Sequence, residues 1–180
     1  MANFEVLQMN LSYKICTQND LQDIEEISVK TFVTAFEKHN NPEDFKIYMD
    51  TAFSKEQLRR ELLDDNVNFY LVYDKNDVVG YFKLNEKEAQ TEPFGDTSVE
   101  IERIYVLDEY QGHNIGKQML MKIIEIAKQR QMAFLWLGVW EMNAGAIRFY
   151  ERNGFKKFDT HPYYVGNDKQ TDWLMRLDLV

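Results

Sequence analysis

Apolar and polar positions along this chain follow two different periods, which separate strands from helices. Leu11 to Cys16 alternates loosely between apolar and polar residues and predicts a first strand. Thr17 followed by Asp20 is typical of a capped helix start, and the apolar stripe between positions 21 and 32 predicts a helix with one buried face. The first predicted unit is therefore a strand followed by a helix.

A second helical region extends from about Pro42 to Asp65. Ser54, with Gln57 three residues later, forms a capping-box pattern inside this region, so two short helices are predicted rather than one. Two segments rich in β-branched and aromatic residues follow, at 68–74 and 78–84. The polar turn formers between them predict a β-hairpin.

The second half of the chain is predicted to alternate strands with helices. Strands are expected at Ser98 to Leu107, Ala133 to Trp140, Phe155 to Phe158 and Lys169 to Leu179, and helices from about Ile115 to Gln131 and from Asn143 to Asn153. The prolines are interpreted as separators between elements, at Pro42, Pro93 and Pro162. The order βααβββαβαββ, in which the divided helical region 42–65 is counted once, predicts an α/β sandwich with a mixed sheet, in one domain spanning residues 1–180.

Composition narrows the class of protein. Of the 180 residues, 44% are hydrophobic and 28% are charged, which is typical of a globular domain. No apolar run approaches the roughly 20 residues needed to cross a bilayer, and Met1 to Glu5 lack the features of a signal peptide. The single cysteine, Cys16, allows no internal disulfide or thiolate metal cage, so we expect a small buried residue of a cytoplasmic protein.

The charge balance argues against polyanionic partners. The chain has 21 Lys and Arg against 30 Asp and Glu, a net charge of −9, and no basic face is visible. Nucleic acid and anionic membrane surfaces are therefore not expected as partners, whereas cationic ligands are favoured. The segment from Glu86 to Glu102 contains six carboxylates and one lysine, which gives it a local net charge of −5. This acidic segment is interpreted either as a solvated loop or as an anionic entrance for a cationic substrate.

The stretch from 104 to 117 carries the most chemical information, because a strand ends, a glycine-bearing loop turns and a helix begins near Ile115. A helix N-terminus presents unpaired N–H groups and the positive end of its dipole, which suits a phosphate. Gly112 and Gly116 remove side chains where an anion must approach the backbone, and Asn114 suits a left-handed turn. The alternative is a plain strand-to-helix turn, since neither a Walker motif nor a dinucleotide fingerprint is present.

A second segment, Asn143 to Phe155, places polar and aromatic groups on one predicted helix. Ile147, Tyr150 and Gly154 fall near one face, a turn beyond Asn143. Taken singly, Asn143 is typical of a helix N-cap and Tyr150 of a packed aromatic side chain.

Taken together, these segments resemble the GNAT superfamily of N-acetyltransferases. Residues Gln111 to Gly116 are similar to its Gln/Arg-x-x-Gly-x-Gly/Ala acetyl-CoA signature, with Asn114 in place of the usual middle glycine. The resemblance is strongest from Ser98 to Phe158, and segments 100–106, 135–141 and 170–172 look like the PaiA-type spermidine/spermine acetyltransferases. The resemblance implies a mixed seven-stranded sheet with splayed central strands, flanked by helices.

The resemblance also implies that acetyl-CoA lies between the splayed fourth and fifth strands. The backbone of Ile104, Tyr105 and Val106 would pair with the pantetheine arm, and Asn143 would hydrogen-bond the arm from the other side of the cleft. Backbone amides would hold the pyrophosphate at Gln111, Gly112, His113, Asn114, Ile115, Gly116 and Lys117. Tyr150 would lie near the sulfur. The implied reaction is acetyl transfer to a primary amine, with a polyamine such as spermidine or spermine as acceptor, by direct attack in a ternary complex.

Aminolysis of a thioester requires a neutral amine, whose ordinary pKa is about 10.4. A backbone N–H of strand 104–106 suits the oxyanion, and the Tyr150 hydroxyl suits the departing thiolate. Glu100 and Glu102 are two residues apart on one strand, so their side chains share a face, and either is a candidate to accept the amine proton through water. Glu102 is favoured because it is nearer the expected reaction centre. For both residues the alternative is an exposed strand face or a salt bridge.

Two other functions stay open at this point. One is an acetyltransferase for a protein N-terminus, a lysine, an amino acid or an antibiotic, and the other is a non-catalytic regulator that binds acetyl-CoA. A homodimer is also left open, because four aromatic residues are candidates for either a dimer contact or the substrate groove: Trp140, Tyr163, Tyr164 and Trp173. No metal is expected, since the three histidines, His39, His113 and His161, lack metal-ligand spacing.

Overall fold

The computed structural model describes residues 10–179. These residues form one sheet with helices on both faces. The strands are β1 (Leu11–Ile15), β2 (Val67–Asp74), β3 (Asp77–Glu86), β4 (Ser98–Val106), β5 (Phe134–Trp140), β6 (Lys156–Val165) and β7 (Asp168–Asp178). The helices are α1 (Leu21–Phe36), α2 (Pro42–Ala52), α3 (Lys55–Leu63), α4 (Ile115–Gln129) and α5 (Ala144–Arg152). Met1 to Glu5, on which the signal-peptide expectation rests, lie outside the described residues. Within residues 10–179, no helix combines the length and the apolar character needed to span a bilayer.

The seven strands are arranged in the order β1-β2-β3-β4-β5-β7-β6. All neighbouring pairs are antiparallel except β4 and β5, which are parallel. The β4–β5 ladder has three residue pairs only, from Ser98–Phe134 to Glu100–Trp136. Beyond them the two strands diverge, so the mixed seven-stranded sheet with splayed central strands is confirmed.

The two faces of the sheet are covered differently. Helices α4 and α5 pack on one face over the largest core cluster, in which Met119, Leu120 and Ile123 of α4 are fully buried. Helices α1 to α3 cover the other face over the β1–β4 half of the sheet. The half-buried Cys16 packs there with a free thiol. Over β5 this second face is covered by the β3–β4 connection, where Phe94 packs edge-on against Trp136.

The predicted division of the region 42–65 into two helices is confirmed. The Ser54 hydroxyl accepts a hydrogen bond from the Gln57 N–H at 3.2 Å and begins α3. Pro42 lies at the first turn of α2, where its missing N–H leaves no helical bond unmade. The hairpin at 67–86 is also confirmed, with the turn at Lys75 and Asn76.

The predicted bounds of β6 are wrong. The strand does not end at Phe158 but continues through Pro162 to Val165. Pro162 is tolerated because β6 is the edge strand of the sheet, so its missing N–H interrupts no second ladder. A register shift between Lys157 and Asp159 also breaks the alternation by which the strand would have been recognised.

Candidate active site

A cavity of about 830 Å³ opens where β4 and β5 diverge. At one end it is lined by the loop before α4, the first turn of α4, and α5; we call this the α4 end. At the other end it is lined by the last turns of α1 and by the β6–β7 hairpin; we call this the hairpin end. The divergence of the two central strands therefore creates one continuous space between the two layers of helices.

The free edge of β4 forms one wall of this cavity. The N–H of Leu107 donates to the carbonyl of Val79 on β3 at 2.9 Å, and backbone groups alternate sides along a strand. The alternation turns the N–H groups of Ile104 and Val106 toward the gap, where the ladder with β5 has already ended. Tyr105 also lines the cavity, but its backbone faces Tyr81 on β3. The expectation that Tyr105 offers backbone hydrogen bonds in the gap is therefore wrong.

The first turn of α4 forms the wall of the α4 end. Gly112 has a φ of 80° and Asn114 a φ of 64°, so both adopt the left-handed conformation that the motif predicted for Asn114. Asn114 makes no side-chain capping bond, and the first turn contains no acidic residue. The N-caps of α2, α3 and α5 do bind a backbone N–H with their side chains. Among the described residues, α4 thus presents an uncapped positive helix end to the cavity, which suits an anionic group.

Helix α5 lies across the cavity and carries two of the predicted site residues. The Asn143 side chain accepts a hydrogen bond from the Ala146 N–H at 3.1 Å, so it caps α5 and also lines the cavity. Tyr150 is buried and lines the cavity. Burial raises the pKa of Tyr150, so its phenol stays protonated at neutral pH and can donate a proton. The packing interpretations of both residues are thus correct, and the chemical ones stay predictions.

Most of the predicted cofactor residues lie around this cavity: Ile104, Tyr105, Val106, Gln111, Gly112, Asn114, Ile115, Gly116, Lys117 and Asn143. His113 is not among the lining residues; its side chain is exposed, and its ring Nδ1 lies 3.2 Å from the carbonyl of Tyr110. The role predicted for its backbone amide stays a prediction. Glu100 does not line the cavity either. Its carboxylate is buried and accepts bonds from the Thr91 hydroxyl at 2.6 Å and from the Asn85 amide at 3.1 Å. Burial, followed by the charge of Glu102, raises the pKa of Glu100.

Glu102 reaches the cavity but is held in an ion-pair cluster. Its carboxylate lies 2.5 Å from the Lys83 ammonium and 3.4 Å from the Arg103 guanidinium, and both cations are buried. Burial opposes ionisation of Glu102, yet the two cations outweigh it and lower the pKa of Glu102 to about 2. A carboxylate with so low a pKa is a weak proton acceptor, so the salt-bridge interpretation describes Glu102 better than the proton relay.

The fold divides the acidic segment, and neither interpretation describes all of it. Glu88 and Asp96 are exposed in the β3–β4 connection, as the solvated-loop interpretation predicts, but the other four carboxylates are not. Glu86 ends β3 and pairs with Arg130, and Glu92 binds the ring Nδ1 of His161 at 2.8 Å. Glu100 and Glu102 belong to β4. Of the six carboxylates in this segment, only that of Glu102 lines the cavity. Lys and Arg side chains of the fold therefore pair with two of the six carboxylates, those of Glu86 and Glu102.

The sequence interpretation gave no role to Asp172, which lies at the hairpin end. Asp172 is 8% exposed and lines the cavity, and its Oδ1 atom has no hydrogen-bond partner among the described residues. Burial, opposed by His161, raises the pKa of Asp172 to about 6. The signal available in the sequence was the resemblance at 170–172, but no local pattern shows that β7 brings this carboxylate beside β5.

Of the four aromatic residues considered for a dimer contact or the substrate groove, two line the cavity and two do not. Trp140 and Tyr163 line the cavity, as the groove interpretation predicts. Tyr164 is 54% exposed, and the ammonium of Lys157 lies 3.8 Å from the centre of the Trp173 ring, away from the cavity.

Comparison with known proteins agrees with this geometry. The model of the acetyltransferase (GNAT) family matches residues 21–155. An uncharacterized N-acetyltransferase of Lactobacillus delbrueckii subsp. lactis is 35% identical over 91% of this chain and 95% of its own length. The spermidine N(1)-acetyltransferase of Thermoplasma acidophilum is 23% identical over 84% of this chain and 92% of its own. The crystal structure of the PaiA N-acetyltransferase from Thermoplasma acidophilum in complex with coenzyme A has a TM-score of 0.76 and 22% identity, covering 94% of this chain and 99% of that one.

Proposed function

The chain belongs to the GNAT family of acetyltransferases, which makes it an acetyl-CoA-dependent N-acetyltransferase, and from this premise we propose that it acetylates a primary amine of a polyamine such as spermidine. The observation that carries the proposal is the position of the uncapped α4 terminus and the free edge of β4 on two walls of one cavity.

Acetyl-CoA fits these two walls for separate physical reasons. The first-turn N–H groups of α4, from Ile115 to Lys117, would hold the diphosphate, because a bare helix N-terminus stabilises negative charge without a lysine. The N–H groups of Ile104 and Val106 would bind the amides of the pantetheine arm as a missing strand would. Asn143 would contact the arm from the α5 side.

Two groups would then act on the reacting atoms. One of the free β4 N–H groups would stabilise the oxyanion that develops on the acetyl carbonyl, because a fixed backbone donor needs no reorganisation. Tyr150 would donate its phenolic proton to the departing thiolate, as its raised pKa keeps that proton in place at neutral pH. The amine attacks directly, with both substrates bound.

The hairpin end supports a cationic acceptor. The Asp172 carboxylate reaches the cavity there and has no Lys or Arg partner among the described residues, and Phe32, Tyr163 and Trp140 supply apolar and aromatic surface. Ammonium groups separated by methylene chains match such a mixture of carboxylate and rings. The spermidine acetyltransferase of Thermoplasma acidophilum, similar over most of this chain, supports the same choice.

The deciding experiment follows release of free thiol from acetyl-CoA with a panel of acceptors. We expect kcat/KM for spermidine and spermine to exceed that for butylamine by at least about tenfold, since a second ammonium adds a charge-assisted contact. Equal values, or a preference for a peptide N-terminus or lysine, would reject the polyamine. Binding of coenzyme A without thiol release on any amine would instead favour the non-catalytic regulator.

A further inference from the structure

We propose that Asp172 is the group that takes the proton from the acceptor ammonium, and that His161 and Glu92 behind it conduct this proton out of the cavity. The inference rests on the proposed amine acetylation and assigns the proton acceptor for it. These three side chains come from β7, β6 and the β3–β4 connection, and together they link the hairpin end of the cavity to the surface.

Asp172 is a buried carboxylate that borders the cavity. It stands opposite Trp140 on β5 and opposite His161 on β6, so its side chain is flanked on both sides within the sheet. The residue is more than nine-tenths buried, it lines the cavity, and its Oδ1 has no hydrogen-bond partner among the described residues. An unpaired buried carboxylate oxygen is costly, so a proton or a hydrogen-bond donor that reaches the Asp172 carboxylate stabilises it.

His161 connects this carboxylate to solvent. Its Nδ1 lies 2.8 Å from Oε1 of Glu92, so a carboxylate there fixes the proton on Nδ1 and leaves Nε2 as an acceptor. Nε2 lies 4.0 Å from Oδ2 of Asp172, a gap that a small carboxyl rotation or one water closes. Side-chain exposure rises along the series, from 11% at Asp172 to 16% at His161 and 32% at Glu92.

Gly138 on β5 leaves room for this arrangement. A Cβ atom at position 138 would lie 3.1 Å from Oδ2 of Asp172 and 3.3 Å from Nε2 of His161. Both distances are tighter than ordinary carbon contacts, so any larger residue would push the two groups apart. The glycine therefore allows the short distance between Asp172 and His161.

Asp172 suits this role better than the two glutamates of β4. Glu102 is held by Lys83 and Arg103, and Glu100 does not line the cavity. The pKa of Asp172, about 6 because of burial, leaves it ionised at neutral pH yet far more basic than Glu102. The titratable groups around Asp172 are His161 on β6, Glu92 in the β3–β4 connection, Glu141 after β5 and, across the cavity, Lys38, His39, Glu102 and Tyr163.

The proton balance of the reaction closes with these groups. The bound ammonium gives one proton to Asp172 and becomes a neutral amine, whose lone pair forms the C–N bond as the carbonyl π bond opens. Collapse of the tetrahedral adduct breaks the C–S bond, and the thiolate receives the Tyr150 proton. The second proton of the nitrogen restores the Tyr150 phenol. The first passes from Asp172 to Nε2 of His161, while Nδ1 releases its own proton to Glu92 and water. Exchange of the ring proton from Nε2 back to Nδ1 through water then restores His161 for the next turnover.

The test compares Asp172→Asn with Asp178→Asn, the same change on the same strand at an exposed position outside the cavity. The pH profile of kcat/KM is measured with whichever amine the wild type acetylates best. We expect the wild type and Asp178→Asn to lose activity below about pH 6, since Asp172 must be ionised to act. Asp172→Asn should lose at least about 100-fold at pH 7 and lack this acidic limb, with its Kd for coenzyme A unchanged.

The variant His161→Gln distinguishes proton conduction by His161 from proton acceptance by Asp172. We expect this variant to keep the acidic limb and to lose about tenfold in kcat, because Asp172 remains but its exit path is broken. If Asp172→Asn retains the wild-type profile, or if the limb disappears in His161→Gln instead, the assignment of Asp172 is overturned. A wild type that acetylates no amine would refute the proposed function itself, and the absence of turnover distinguishes that result from the others.

Discussion

At the scale of single residues, Tyr150 combines two roles that the sequence presented as alternatives. It is a buried ring, packed between Phe149 and Phe155 with ring centres 5.3 and 5.6 Å away. It also borders the cavity with a phenol that burial keeps protonated. Both roles use the same burial, because the apolar contacts that fix the ring also disfavour its phenolate.

Replacing Tyr150 with Phe tests the chemical role alone, since the ring and its packing remain. We expect kcat to fall about 100-fold, the usual contribution of a general acid, with the Kd for coenzyme A unchanged. Steady-state kinetics and calorimetry measure the two quantities. Tyr164→Phe is the matched control, because Tyr164 is exposed and outside the cavity. A Tyr150→Phe enzyme with wild-type kcat would remove the phenol from the mechanism.

At the scale of elements, the N-terminus of α4 is the part of the site that local sequence specifies most fully. Gly112 and Asn114 supply the two left-handed residues of the turn, and the absence of a side-chain cap leaves the first-turn N–H groups for a ligand. A helix that lacks its cap is less stable by about 1 kcal/mol, a cost that the proposed binding of the diphosphate would offset.

A carboxylate placed in this first turn should compete with the diphosphate. Gly116 tolerates a Cβ, since the nearest atoms, on Val106 and Phe149, lie 3.9 and 4.0 Å from it. We expect Gly116→Asp to raise the Kd for coenzyme A at least about tenfold above that of Gly116→Asn, which has the same shape without the charge. The melting temperature should not fall, because an acid favours a helix N-terminus. Equal Kd values for the two variants would contradict a diphosphate at this helix end.

The β6–β7 hairpin is the element whose position depends most on distant contacts. Gly166 at its turn has a φ of 61°, and a Cβ there would lie 2.5 Å from the backbone of Asp44 in α2. The backbone N–H of Asn167 donates to the Asp44 carboxylate at 2.8 Å. The side-chain amide of Gln170 donates to the side-chain oxygen of Asn40 at 2.7 Å. These contacts hold the hairpin against the α1–α2 region and so close the hairpin end of the cavity.

At the scale of the whole molecule, an ion-pair cluster joins three elements beneath the cavity. Lys83 of β3 lies between Glu102 of β4 and Glu61 of α3, at 2.5 and 3.0 Å, and Arg103 completes the group. Because the pKa of Glu102 is lowered to about 2 from an ordinary 4.5, its ionisation stabilises the fold above pH 4.5. That contribution is lost as the pH falls toward 2.

Glu102→Gln should therefore destabilise the protein in a pH-dependent way. We expect the free energy of unfolding to drop by about 3 kcal/mol at pH 7, the value that corresponds to the lowered pKa and to removal of one partner from a buried pair. Urea unfolding from pH 7 to pH 3 should show the difference between variant and wild type shrinking below pH 4.5. A difference in stability that does not change with pH would contradict the ion-pair role. A folded variant with greatly reduced kcat would instead support Glu102 as a proton acceptor in the reaction.

Local sequence patterns correctly predict the succession of strands and helices, the divided helical region after Pro42, and the Asn114 turn that begins α4. These features depend on period, caps and turn chemistry, all of which act within a few residues. For the same reason the local motif placed the α4 end of the cavity correctly. The roles of its residues toward acetyl-CoA stay predictions.

Which carboxylates pair with cations and which remain available to a ligand depends instead on how the strands and helices pack together. The sequence left open whether Glu102 is salt-bridged and whether the acidic segment is solvated. In the fold, Lys83 pairs with Glu102, Arg130 pairs with Glu86, and the ring of His161 contacts Glu92. The resemblance at 170–172 gave no role to Asp172, yet β7 places it beside β5 with an Oδ1 atom that has no hydrogen-bond partner among residues 10–179. The physical reason is that a side chain's ionisation depends on neighbours within a few ångströms, and a folded sheet draws those neighbours from positions far apart in the chain.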